Sequence, residues 1–386
     1  MLHKSAFIFL WIGILLISHA LVVSAILFRE FGHIPKVLLT TIIFVVQGAT
    51  ILTLLERGFL NNRQFFLRKL GTFSAIGLVL VVAISLLQIG SLYGILSDGW
   101  TSWLTGVFSY RSAGRIQGIS GEPSALARSL MLLGMFAYLF YVGPLKKTFL
   151  GLGAFVFALS GSTYGYLSLF LFFCLLFILL PGFGRKKLWI TTLLLLCAAF
   201  LIWGGTLLED SYARDKLQKV STIISSPTPE LIYRVLATDG SIFQRIMNPL
   251  IAFMSGRDTW FLGSGLDGYR YLYPRLIMEH LPYAYNFPTV ASAVDGTNYI
   301  TPKSMYGRVF AELGVIAFLL FIAYLAWLVK ASRRLWPETH APLIIVCYLI
   351  VISVSLDSLV LLMFWWPILF LHVYITKINK LYKFKA

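Results

Sequence analysis

Charge is what this sequence has least of: 12% of its 386 residues are Asp, Glu, Lys or Arg, and the acids number only 16. A soluble domain carries about twice that charged fraction, so a water-facing globular surface is excluded for most of the chain. Cysteine is nearly absent. Cys174, Cys197 and Cys347 each lie inside an apolar run, which excludes a disulfide framework and leaves them as small buried hydrophobes. Also missing are a Walker A loop, an HExxH helix, a CxxC pair and the Asp-x-Asp of metal-dependent sugar-nucleotide enzymes. The histidines are scattered without ligand spacing, so neither a metal nor another cofactor is expected. Gly263-x-Gly265-x-x-Gly268 matches GxGxxG literally but has no strand–helix unit around it, and nucleotide binding is not expected.

What fills the chain instead is apolar sequence: 58% of residues are hydrophobic and mean hydropathy is +0.82. Several runs approach the ~20 residues that cross a bilayer. They are visible at Ala6–Phe28, Pro35–Leu55, Gly71–Leu96, Ser124–Gly143, Phe149–Ser160, Gly165–Leu180, Leu188–Leu207, Val309–Val329, Pro342–Ser355 and Ser358–Thr376. The first is longer than a signal-peptide core of ~7–15 residues and reads as a retained span.

The formal net charge of +16 does not point to nucleic acid, because the cations sit mostly in short turns between apolar runs. Lys4, Arg57 to Lys69, Lys146–Lys147, Arg185–Lys187, Lys330 to Arg334 and Lys377 to Lys385 fall on one side, and the alternate turns are sparse. The positive-inside rule then places both termini in the cytoplasm. Ten spans is the consistent count. The expected fold is an all-α polytopic membrane bundle with spans in 1–207 and 308–386 and a large extracytoplasmic helical loop over 208–307.

Segments of that length escape the positive-inside rule, so the arginines of the loop are free for other roles. They are Arg214, Arg234, Arg245, Arg257, Arg270 and Arg275, with Arg308 at the following span. Arginine keeps its charge, and its planar fork matches phosphate oxygens. Asp239 or Ser241 is expected to cap a helix through Phe253, with Ile242, Ile246, Leu250 and Phe253 on the packed face and Gly256 as terminator. Arg245 lies within that helix, three residues after Ile242. Tyr269, Tyr271, Tyr273, Tyr283 and Tyr285 suit a surface near headgroups or sugars. In the shorter loop, Trp100, Trp103, Leu104, Val107 and Phe108 have the spacing of an interfacial helix.

The densest polar cluster runs from Arg111 through Arg115, Gln117 and Gly118 to Gly121-Glu122-Pro123-Ser124. Pro123 suits the first turn of a helix. Glu122 then either completes a cap and pairs with Arg115, or serves as an acid/base or acceptor-orienting carboxylate beside cationic phosphate ligands. Ser160-Gly161-Ser162-Thr163-Tyr164-Gly165 interrupts apolar sequence either as a plain turn or as a break lining a wet cavity.

These features together resemble the Wzy-type O-antigen and exopolysaccharide repeat-unit polymerases. The resemblance rests on Arg115, Gly118 and Gly121-Glu122-Pro123-Ser124; on the Ser160–Gly165 interruption; on Ser241-Ile-Phe-Gln-Arg245 followed by Phe261 to Gly268; and on Ala311-Glu312-Leu313-Gly314. It runs from about Arg111 to Phe321. It implies a metal-independent, GT-C-like glycosyltransferase of a bacterial inner membrane that moves a growing glycan from one polyprenyl pyrophosphate to the terminal sugar of another lipid-linked unit. On that reading Arg115 and Arg245 bind the donor pyrophosphate and Glu122 orients or deprotonates the acceptor hydroxyl. Arg111, Arg270, Tyr269, Arg308 and His280 are further substrate-binding candidates, and His280 or Asn298 is the candidate second base. The implied partners are polyprenyl-pyrophosphate-linked oligosaccharides, membrane lipids and a chain-length regulator protein. The related O-antigen ligases share the layout. A secondary transporter is the non-enzyme alternative, and the scarcity of ionisable groups within the spans, where Gln47 and Gln88 stand out, speaks against it.

Overall fold

The computed structural model describes residues 4–97, 116–119, 122–195, 240–336 and 339–383, apart from 29–30, 182–183, 185–186, 299 and 357–361, with isolated positions at 99–103 and 219–236. All regular structure among them is helical. The elements are α1 (Lys4–Val23), continued by a π turn at Ser24–Phe28, α2 (Ile34–Leu92), α3 (Pro123–Phe140), α4 (Lys146–Leu159) and α5 (Thr163–Leu179). After the sparsely described segment come α6 (Gly240–Asp258), α7 (Tyr269–His280), a 3₁₀ turn at Pro282–Asn286, α8 (Pro288–Val294), α9 (Met305–Arg334), α10 (Ala341–Ser353) and α11 (Leu362–Lys383).

Among the described residues, four segments are long and apolar enough to cross a membrane: Phe7–Phe28, Ile34–Leu92, Pro123–Phe140 and Met305–Arg334. Tyr164–Leu179 and Ala341–Ser353 are shorter apolar helices. Their outward faces carry exposed Phe73, Ile178, Ile316 and Leu320, a surface suited to lipid and not to water. This is a membrane protein of helical build. The expected second and third spans lie in one element, α2, which breaks at Asn62, where φ is −156° and ψ is 96°. The expected turn at Arg57 to Lys69 therefore stays largely helical.

The chain groups into two compact units. The first comprises Met1–Arg57, Ser226–Leu335 and Leu349–Ala386; the second comprises Gly58–Ser225 and Trp336–Tyr348. The described part of the large loop belongs with helices of the first unit and is not a body of its own.

In the first unit, α1 meets the start of α2 where Gly48 leaves room for the Phe9 ring, whose nearest atom lies 2.3 Å from where a Cβ would stand. Small residues of this kind let membrane helices approach closely. α6 packs along α9, and a core of Phe243, Ile251, Tyr269, Tyr273, Leu276 and Ile277 joins α6 to α7. The packed face of α6 is not the expected one. Ile246, Leu250 and Phe253 are exposed, while Phe243, Asn248, Ile251, Ala252 and Ser255 are buried. The buried face includes the polar Asn248 and Ser255, so the apolar stripe counted from Ile242 does not mark it, although Phe253 still meets the Phe310 ring at 5.0 Å. Gly256 does not terminate the helix either. It admits the Phe310 ring, 2.6 Å from where its Cβ would be, and α6 continues to Asp258.

The second unit packs α3, α4 and α5 with the later part of α2 around Leu78, Val81, Leu126, Val156 and Tyr166. The Ser160–Gly165 interruption is the plain turn. Gly161 has φ of 60°, and Ser162 caps α5 by accepting a 3.0 Å bond from the Gly165 N–H.

Candidate functional site

In the second unit the polar focus is the start of α3. Glu122 is its N-cap residue in extended conformation, with Pro123 in the first turn, but the carboxylate makes no capping bond. Its side chain is exposed and accepts one hydrogen bond, 3.2 Å from Ser124 Oγ. It makes no ion pair among the described residues. Arg111 and Arg115 lie outside the described residues.

The backbone leading to Glu122 is held from within the bundle. Gln88, fully buried on α2, accepts from the N–H groups of Gln117 (3.0 Å) and Gly118 (2.8 Å) and donates to the Gly118 carbonyl (2.9 Å). One amide thus satisfies three backbone groups that would otherwise be stranded at membrane depth, each worth roughly 1–3 kcal/mol if left unmade. Gly118 has φ of 59°, and a Cβ there would stand 2.7 Å from Leu126 Cδ1, so glycine is required on both counts. The sequence reading noticed Gln88 only as a rare polar residue within a span. Its clamp joins α2 to a segment 30 positions away, which no local spacing reveals.

A second group escaped the sequence reading altogether. Arg128 stands in α3, five residues beyond Pro123, which is about 7–8 Å of helix rise. Half-buried, it has no ion pair and no hydrogen bond among the described residues, and its Nε is sealed from solvent. Its charge acts on the Tyr348 hydroxyl. A guanidinium in a membrane helix without an acid is costly and marks a functional position by default. The signal was present in Ala-Leu-Ala-Arg128-Ser, hidden inside an otherwise apolar window.

In the first unit the charges are arranged in the opposite way. Arg308, 6% exposed, donates from Nη2 to Asp267 Oδ1 at 2.9 Å and from Nε to Glu312 Oε2 at 3.0 Å. Lys36 Nζ lies 3.5 Å from the other Asp267 oxygen. Two cations and two carboxylates meet here, so Arg308, a substrate-binding candidate of the sequence, lies buried and ion-paired instead of on a surface. Asp267 is delivered with φ of 61° by the glycine-rich loop. That loop fits into a break in α9 at Gly314, where φ is 84° and ψ is 178°. The Val315 N–H donates to the Phe261 carbonyl at 2.9 Å and the Ser264 N–H to the Ala311 carbonyl at 2.7 Å, so groups left over by the break are satisfied. The GxGxxG match is explained by this approach. A Cβ on Gly263 would stand 2.5 Å from the Gly314 nitrogen.

The remaining candidates scatter. Tyr269 is 1% exposed, with its hydroxyl 3.4 Å from the Asn248 carbonyl oxygen, and it is a core residue with no face toward a sugar. Burial first, then the neighbouring Tyr273 and Glu312, hold its phenol well above the ordinary range. Tyr273 donates to Asn248 Oδ1 at 3.2 Å and is likewise raised by burial. Arg245 is on the exposed side of α6, not on its packed face. His280 is exposed at the end of α7. Arg270 is half-buried, with its guanidinium 4.8 Å from the Tyr271 ring centroid and Nη2 donating to the Tyr271 hydroxyl at 2.7 Å. It makes no ion pair among the described residues, which leaves it available to an anion.

Arg128 thus stands within a span, while Arg308 and Glu312 stand in α9 ahead of its break at Gly314. No group of His, Cys, Asp and Glu among the described residues is arranged to hold a metal ion. Compared with protein-family models, curated proteins and solved structures, the chain matches none.

Proposed function

We propose that this protein is a membrane glycosyltransferase that polymerises lipid-linked oligosaccharide units. It transfers a growing glycan from polyprenyl pyrophosphate to the terminal sugar of a second lipid-linked unit. The observation that carries this reading is the head of α3: an exposed carboxylate at the helix start, with an unneutralised guanidinium less than two turns inside the span. The motif resemblance over Arg111 to Phe321 supplies the substrate class.

In this reading the bond from the sugar C1 to the pyrophosphate oxygen breaks, and a bond from C1 to the acceptor hydroxyl oxygen forms. Glu122 receives the hydroxyl proton, and the carrier leaves as polyprenyl pyrophosphate. Arg128 and the N-terminal N–H groups of α3 favour the negative charge that develops on the leaving group. The resemblance gives Arg115 and Arg245 the phosphate-binding role. A transporter gains some support from Arg128, but Arg308 and Glu312 are ion-paired to each other.

The test is the glycan profile of cells in which this chain is the sole copy. Arg128→Ala and Glu122→Gln should each leave single-repeat glycans in place of a ladder, by a factor of about 100 or more, while the protein accumulates normally. Full-length ladders in both variants would sink the assignment. Loss of every attached repeat would point to a ligase.

A further inference from the structure

We infer that the second unit seats one anionic, two-chain phospholipid in the open cavity lined by α3, α4, α5 and the start of α10. This does not depend on the glycan-transfer reading. The cavity holds about 1460 Å³, beyond the ~300–1,000 Å³ of ordinary small-molecule sites, and so matches a long-chain amphiphile. Its walls are apolar, with Leu130, Met135, Phe157, Leu169, Phe173 and Leu176 among them.

The polar groups gather at one end. Lys146 begins α4 and lines the cavity, its Nζ 5.2 Å from the Tyr138 ring centroid, and it has no acid partner among the described residues. Trp336 and His340, just before α10, lie with ring centroids 4.1 Å apart, and Trp189 is 61% exposed. A lysine and two tryptophans lining one apolar cavity are the side chains that receive an anionic headgroup at the membrane surface.

Native mass spectrometry of the full chain in detergent, titrated with phosphatidylglycerol or with phosphatidylcholine of the same chain length, tests the inference. One phosphatidylglycerol should be retained at least tenfold more tightly than phosphatidylcholine. Gly134 lines the cavity and a Cβ there meets nothing within 4 Å, so Gly134→Phe should fill the space and abolish retention. Ala154→Phe, on α4, gives the same readout should the first variant fail to fold. Lys146→Gln should keep a lipid bound while lowering the preference for phosphatidylglycerol about fivefold. Equal retention of the two lipids by the native chain would overturn the inference. So would undiminished retention by a folded cavity-filling variant, or displacement of phosphatidylglycerol by polyprenyl phosphate at one equivalent.

Discussion

Arg308 and Arg128 are both arginines in apolar helices, yet they live under opposite rules. Arg308 is paired with Asp267 and Glu312, and Lys36 lies against the other oxygen of Asp267. Arg128 has no acid at all among the described residues. A buried charge that is fully paired holds structure together, and removing one partner is costly because the others are stranded. A charge left unpaired at similar depth gives up stability and is kept for something that arrives from outside. Sequence displays both as an Arg in an apolar run. Only the partners separate them.

The sharpest way to break this comparison is Arg308→Met. It should cost roughly 3–5 kcal/mol, read as loss of membrane-inserted protein and of the melting transition in detergent. Adding Asp267→Asn and Glu312→Gln to that variant should restore most of the loss. If Arg308→Met is stable and Arg128→Ala is not, the roles are reversed. Gln88→Leu comes next. Losing the clamp on residues 117 and 118 should lower stability by about 2 kcal/mol and reduce glycan ladder length, since the approach to Glu122 loosens while Glu122 itself is untouched. An unchanged ladder would detach the clamp from the site. The smallest effect is expected for Lys36→Met. Its side chain is 45% exposed and 3.5 Å from Asp267, so the change should stay within about 1 kcal/mol in the same melting assay.

The helices were largely legible in the sequence because a bilayer imposes a length and a polarity on every residue of a span. The run Ala6–Phe28 ends where the first helical segment ends, and Ser124–Gly143 lies within three residues of α3 at both ends. The α6 face is harder to read, because its buried side includes Asn248 and Ser255 and so breaks the apolar pattern. Glu122 stood out because Gly-Glu-Pro-Ser is a local signal. Arg128 did not, and the Arg308–Asp267 pair is separated by 41 positions, so its closure is a property of the folded chain.

The break at Gly314 bears on how the protein is inserted. α9 has 30 residues, and after the break its uncharged stretch runs from Val315 to Val329, about 15 residues or ~22 Å, most of the thickness of a bilayer's hydrocarbon core. Placing an arginine at the centre of a segment being sorted into the membrane costs about 2.5–3.5 kcal/mol. With Arg308 and Glu312 confined to the first third, the insertion machinery meets an unburdened stretch. Asp267 has been synthesised by then, so the emerging arginine finds its counter-charge already made. The kink lets one helix be selected as greasy and still carry salt.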